Sequence, residues 1–168
     1  MSEAHSKTSR RYMGRGMWVV GWVAVPLWLG AGLAGYLERN RPGLPAAHVG
    51  MALLATLMLL FAHSWVVLYA LGVSRLSEDT VSQESFDLTL ARLPDRWLKA
   101  AGPSILAVSV LAVVVFAAGV GGFTSHLPIA VHVSGGALVV VIQVVALGRE
   151  RRLLRRIEWL IQALGEVR

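Results

Sequence analysis

The chain has no cysteine and little charge, and these two absences exclude several classes of protein. Without cysteine there is no disulfide scaffold, no thiolate metal site, no c-type haem attachment and no thiol catalysis. Only 15% of the 168 residues are charged, whereas about a quarter are charged in an average soluble domain. Because a water-facing surface needs polar residues, this shortage argues against a soluble enzyme and against a disordered chain. The length is also short for two domains.

Long apolar runs take the place of the missing charge. Hydrophobic residues make up 55% of the chain, and four stretches are long enough to cross about 30 Å of hydrocarbon at roughly 1.5 Å per residue. None has Asp, Glu, Lys or Arg in its interior; they are residues 17–37, 46–73, 103–123 and 127–147. Since lipid offers the backbone no hydrogen-bond partner, each stretch must be helical. We therefore predict an all-α bundle of four transmembrane helices over 17–147, built from two hairpins.

The basic residues predict how these helices are oriented. Fourteen of the sixteen Lys and Arg residues lie in the N-terminal arm (1–16), the loop between spans two and three (74–102) and the tail (148–168). The positive-inside rule assigns these three segments to the cytoplasm. The sequence thus predicts a multi-pass protein of a bacterial-type inner membrane with both termini inside. The net charge of +6 then reflects orientation and lipid contact, and nucleic acid is not expected as a partner.

The polar segments between and after the spans are candidate contacts with other membrane subunits. Pro94 divides the 74–102 loop, for which we predict one or two short surface helices. Apolar residues recur at helical intervals through 148–168 and predict an amphipathic cytoplasmic helix. This helix either lies on the membrane or over the loop, or it docks onto a partner subunit.

Three histidines lie inside the predicted spans. His48 and His132 open the second and fourth spans in similar sequence contexts, which suggests a short internal repeat. These two spans run in parallel, so we expect both histidines in the outer leaflet. His63 follows His48 by fifteen residues, about 22 Å further along roughly the same helix face. Ionisable residues within spans are functional candidates, although histidine also serves as a hydrogen-bonding contact between helices.

The pair of His48 and His132 suits haem iron. Zinc and copper sites normally take three or four ligands, whereas two imidazoles match the axial positions of a b-type haem. Glycines on the first and third spans at the same depth would make room for a macrocycle; the candidates are Gly32, Gly35, Gly119 and Gly122. In the outer loop, Arg39 and Arg41 are either partners of haem propionates or ordinary solvated residues.

Three roles stay open for His63. It is a packed histidine bonded to Ser64 or to a neighbouring carbonyl, a hydrogen-bond partner of a quinone near the inner leaflet, or a ligand of a second haem.

These features resemble cytochrome b-type four-helix transmembrane haem-binding subunits. In that family the second and fourth helices carry the histidine ligands, and glycines on the first and third helices make space for the macrocycles. His48 and His63 have nearly the spacing of the family, and His132 lies on the fourth span. The chain departs from the pattern at Ala146 and Leu147, where a ligand opposite His63 is expected. The resemblance therefore implies one outer haem. The sequence is also similar to uncharacterised small bacterial four-span membrane proteins.

The predicted function is that of an electron-transfer subunit in a respiratory or photosynthetic complex, holding one b-type haem and exchanging electrons with quinone or a partner subunit. The sequence has no nucleotide-binding loop, HExxH motif or serine-centred constellation. A non-catalytic subunit of an oxidoreductase complex is therefore favoured over an enzyme that acts alone. The alternative is a cofactor-free structural or accessory subunit of a larger membrane complex.

Overall fold

The part of the chain that the computed structural model describes, residues 2–38, 45–84, 92–120 and 129–165, consists of four long helices. In chain order these are α1 (Ser2–Glu38), α2 (Pro45–Glu84), α3 (Leu93–Val120) and α4 (Ile129–Gly165). Each contains a stretch long and apolar enough to cross a membrane; these are Gly16–Leu37, Ala47–Glu78, Leu93–Gly119 and Ala130–Ala163. The prediction of an all-helical chain with four such helices is confirmed.

Helices α2 and α3 extend further into the polar segment 74–102 than the sequence predicts. Instead of forming separate surface helices, its residues extend α2 as far as Glu84 and begin α3 at Leu93. Pro94 lies in the first turn of α3, where a backbone without an N–H group costs no helical hydrogen bond.

The tail also differs from the prediction of a separate amphipathic helix over 148–168. Helix α4 continues without a break from the fourth span to Gly165, because Gly148 alone does not end a helix and no proline follows it. Its apolar stripe packs onto the bundle. Leu153, Ile157 and Leu160 are buried in one cluster with residues of α2 and α3, including Val66 and Ile105.

Contacts between the helices establish their relative directions. Gly35 of α1 adjoins His48, and Gly21 adjoins Ala62, so α1 runs antiparallel to α2. Helices α2 and α4 run in parallel, because His48 meets His132 near their starts and the later residue His63 meets the later residue Gln143. One end of the bundle, called the basic end below, carries the exposed cations of α2, α3 and α4 and of the residue before α3: Arg75, Arg92, Arg96, Lys99, Arg149, Arg151, Arg152, Arg155 and Arg156.

Small residues fill the middle of the bundle, and large apolar residues cover its outside. Ala24, Ala55 and Ala112 are fully buried in a cluster to which all four helices contribute. Leu106 and Leu68 are about two-thirds exposed. Small buried residues let helix backbones approach closely, while outward leucines suit contact with lipid. This distribution is that of a bundle surrounded by a bilayer.

Candidate functional site

Helices α2 and α4 bring His48 and His132 together at the end opposite the basic end. Their ring centroids are 6.0 Å apart, and the ring planes meet at 74°. Each histidine is the fourth residue of its helix, so two parallel helices that start at one level place the imidazoles at one depth. The structure thus unites the two histidines that the sequence paired.

A glycine from each of the other two helices lies against these rings. A Cβ atom on Gly35 of α1 would lie 2.9 Å from Nδ1 of His48, and a Cβ on Gly119 of α3 would lie 2.9 Å from Cε1 of His132. Real Cβ atoms are almost never this close to other atoms, so any larger residue would push the rings away. Gly35 and Gly119 therefore make the space that the imidazoles occupy.

The other predicted site residues do not join this cluster in the described part of the chain. Gly32 lies on the exposed face of α1, and a Cβ there would meet nothing within 4 Å. Gly122, Arg39 and Arg41 lie outside the described residues.

The hydrogen bond of His48 determines which ring nitrogen carries the proton. Its Nδ1 lies 2.6 Å from the carbonyl oxygen of Ala31 in α1. A carbonyl oxygen only accepts, so Nδ1 carries the hydrogen and donates it. In neutral His48 the lone pair is then on Nε2, the nitrogen able to bind a metal. A backbone carbonyl that orients the ring in this way is the usual outer partner of a metal-ligating histidine.

A small cavity adjoins the two imidazoles. Its volume is about 20 Å³, and it is lined by Trp28, His48, Val49, Ala52, Val115, Phe116, Gly119 and His132. That volume suits about one water molecule. The indole Nε1 of Trp28 is buried and has no hydrogen-bond partner in the described part of the structure. The lining therefore combines apolar and aromatic side chains with two imidazoles.

The two histidines are not part of a larger ligand set among the described residues. No group of three or more His, Asp or Glu side chains suited to a metal ion comes together there. The donor set in that part of the chain is a pair of imidazoles.

A second polar cluster lies further towards the basic end. His63 of α2 is 1% exposed and contacts two side chains of α4. Its Nε2 lies 2.9 Å from Oε1 of Gln143, and its Nδ1 forms a short hydrogen bond with Oε1 of Glu150. Gln143 in turn donates from Nε2 to the carbonyl oxygen of Gly21 in α1, over 3.2 Å. This cluster links three helices.

The contacts of His63 differ from those considered in the sequence. Ser64 is exposed, and the hydrogen bonds of His63 go to side chains of α4. Both ring nitrogens face protein oxygens, so binding an iron ion or a quinone would require one of these bonds to break.

Sequence reasoning missed Gln143 and Glu150. The predicted fourth span ended at Leu147, which left Glu150 among the arginines of the tail. A usable signal was present, because Gln143 is an amide within an apolar run and Glu150 follows it by seven residues. Seven residues make about two helical turns, so both side chains project from one face. They flank Ala146 and Leu147, where the family resemblance predicts a partner for His63.

Comparison with known proteins adds no relative to this picture. No protein-family model matches the chain, and no curated protein or solved structure does so either.

Proposed function

We propose that this protein is a membrane subunit of an electron-transfer complex, respiratory or photosynthetic, and that it binds one b-type haem between His48 and His132. The observation that carries the proposal is the meeting of these two imidazoles, 6.0 Å apart between their centroids, against Gly35 and Gly119. A haem in this place supplies reversible one-electron chemistry.

His48 and His132 would hold the haem iron through their imidazole nitrogens. Metal–nitrogen bonds are about 2 Å long, so one iron could bind both rings when their centroids are 6.0 Å apart. The Ala31 carbonyl holds the Nδ1 proton of His48 and so leaves the ligating lone pair on Nε2. These roles require no cysteine, in keeping with a chain that has none.

The space between the helices is smaller than a macrocycle. The cavity beside the rings is about 20 Å³, so haem binding requires the side chains of Trp28 and Phe116 to move aside. Gly35 and Gly119 carry no side chain to oppose this opening. We assign Arg39 and Arg41 to the haem propionates.

The same proposal includes an orientation and a location. The basic end faces the cytoplasm, with both termini inside and α1–α2 and α3–α4 forming two hairpins in a bacterial-type inner membrane. The bias of fourteen of the sixteen cationic residues towards one side supports this orientation. Electrons would pass between the outer-leaflet haem and a quinone or a partner subunit.

A second candidate function is a cofactor-free structural subunit. Two observations favour it: His48 is hydrogen-bonded to Ala31 of α1, and the cavity beside the two rings is only the size of a water molecule. Both are expected of histidines that pack between helices. In that case the imidazoles act as interhelical hydrogen-bonding groups.

Single substitutions of the two histidines distinguish these functions. We expect purified wild-type protein to show a b-type α-band in its reduced-minus-oxidised absorbance spectrum, and we expect His48→Ala and His132→Ala each to abolish it. His5→Ala is the matched control, because it removes a histidine outside the predicted spans and should leave the band unchanged. A band that persists in either of the first two variants is incompatible with ligation by this pair.

A further inference from the structure

The cluster of His63, Gln143 and Glu150 is unusual because all three polar side chains are almost completely buried. Glu150 is 0% exposed, and His63 and Gln143 are each 1% exposed. Burying ionisable groups in an apolar bundle costs free energy, so such groups are rare there and are associated with proton or ion movement. The role of this cluster is separate from the haem proposal, since the paired histidines lie about 22 Å away along α2.

The hydrogen bonds determine the position of every proton in the cluster except one. The Gly21 carbonyl accepts, so the amide nitrogen of Gln143 must face it and the amide oxygen must face His63. Nε2 of His63 therefore carries a hydrogen and donates it to Gln143. The remaining contact joins Nδ1 of His63 to Oε1 of Glu150.

That last contact holds a single shared proton. Either Nδ1 carries it, giving an imidazolium beside a carboxylate, or Oε1 carries it, giving a neutral imidazole beside a carboxylic acid. The two arrangements have the same net charge of zero and differ only in the position of one proton. A pair of this kind changes its net charge only by exchanging a proton with its surroundings.

The second carboxyl oxygen of Glu150, Oε2, is the atom of the cluster that can accept a further proton. Oε2 is buried and has no hydrogen-bond partner in the described residues. A buried carboxylate oxygen without a donor is costly, and this cost falls when the carboxylate is protonated. The neighbours of Glu150 in sequence, Arg149 and Arg151, are exposed at the basic end of the bundle.

We propose that His63 and Glu150 form a buried proton-binding site that exchanges a proton with the basic end of the bundle. Uptake places the proton on Oε2 of Glu150, while the Nδ1–H of His63 remains bonded to Oε1. The pair then changes from a net charge of zero to +1, and release returns the proton to the same side. Gln143 and the Gly21 carbonyl are positioning groups, because they keep Nε2 of His63 protonated throughout.

The titratable groups around the pair come from three helices. In the described side chains of α1 (16–37), the single titratable residue is Tyr36, at the end of that helix that adjoins His48. Arg151 lies over the ring of Trp18, 5.1 Å from its centroid, and Asp95 accepts a hydrogen bond from Ser74 over 2.8 Å. The remaining described groups on this side of the bundle are Tyr69, Arg75, Glu78, Arg92, Arg96, Lys99, Arg149, Arg152, Arg155, Arg156 and Glu158.

Infrared difference spectroscopy of the full-length protein in lipid tests the proposal. On acidification, we expect the carbonyl stretch of one protonated carboxyl group to appear, and to be absent in Glu150→Gln. Asp95→Asn is the matched control, because it removes another carboxyl at the basic end, one that is bonded to Ser74, and should keep the band. A wild-type band that persists in Glu150→Gln would overturn the assignment.

NMR spectroscopy of the wild-type protein provides a second test that does not require the Glu150→Gln variant to fold. With ¹⁵N-labelled histidine, we expect the Nδ1 resonance of His63 to shift on the same acidification while its Nε2 resonance stays that of a protonated nitrogen. If the His63 resonances stay constant and no carboxyl band appears, the His63–Glu150 contact is only a hydrogen bond that joins α2 to α4. That result would contradict proton binding. Neither result depends on whether haem is bound.

Discussion

Each of the two polar clusters depends on a few residues whose size or hydrogen-bonding capacity has no equivalent nearby. Gly35 and Gly119 matter because a Cβ atom would collide with an imidazole ring. Gln143 matters because its amide has a donor for Gly21 and an acceptor for His63. These are local requirements, so single substitutions with matched controls can test them.

The close contact of Gly35 predicts a difference between two neighbouring glycine positions. Gly35→Ala places a methyl group 2.9 Å from the His48 ring, and overpacking of this kind costs typically about 1–3 kcal/mol. We expect a lower unfolding midpoint in detergent and a displaced His48.

Gly32→Ala is the control for that comparison, because a Cβ at Gly32 meets nothing within 4 Å. It should be neutral or slightly stabilising, since alanine favours the helical state. Equal midpoints for the two variants would contradict the proposed packing of α1 against His48.

Part of the site was predictable at this scale, and part was not. His48 and His132 were predictable as a pair, because matching contexts at the starts of two parallel spans place them at one depth. Glu150 was missed, because a hydropathy window ends a span at the first cluster of charges and treats every later residue as exposed. Its seven-residue spacing from Gln143 marks a shared helix face, but the local sequence does not identify its partner His63, which lies 87 residues earlier in the chain.

At the scale of the helices, hydropathy located the four spans but not the ends of the helices. Apolar runs stop where the bilayer stops, whereas a helix continues as long as its backbone is bonded and one face is packed. This is why α2 extends to Glu84 and α4 to Gly165. Periodicity did identify the apolar stripe of the tail. It did not show whether the stripe packs on the membrane, on the loop or on a partner subunit, because that depends on contacts with α2 and α3.

The continuation of α4 predicts that the tail stabilises the bundle itself. Ile157 is fully buried in a cluster with α2 and α3, and replacing such a residue by alanine typically costs about 2–5 kcal/mol. We expect Ile157→Ala to lower the unfolding midpoint clearly.

Trp159 is the matched control in the tail, because it is a large apolar residue that is 55% exposed. Trp159→Ala should change the midpoint little. A tail that packs on the membrane surface or only on a partner subunit would give the reverse order, with Trp159 the more sensitive position.

At the scale of the whole molecule, the paired histidines and the cationic residues are separated along the axis of the bundle. The paired histidines lie at one end, and every cation in the described side chains lies towards the other. Under the positive-inside rule, the proposed orientation of such a bundle has the basic end in the cytoplasm. The proposed haem and the proposed proton site then lie near opposite faces of the membrane.

The lack of cysteine provides a direct way to test this orientation. Single cysteines introduced as Ser6→Cys, Arg41→Cys and Ser85→Cys are each the sole thiol of the chain. In intact cells a membrane-impermeant maleimide should label position 41 and should reach positions 6 and 85 only after lysis. Labelling of position 6 before lysis would reverse the proposed topology.

The central claim is that the paired imidazoles of His48 and His132 hold one haem. Its most direct test is the haem content of the wild-type protein purified from its native membranes, measured as the pyridine haemochrome. If this pair of histidines binds one haem, we expect a b-type haemochrome at one haem per chain. Protein that carries no haem from that source would contradict the claim and leave the histidine pair as a packing contact between α2 and α4.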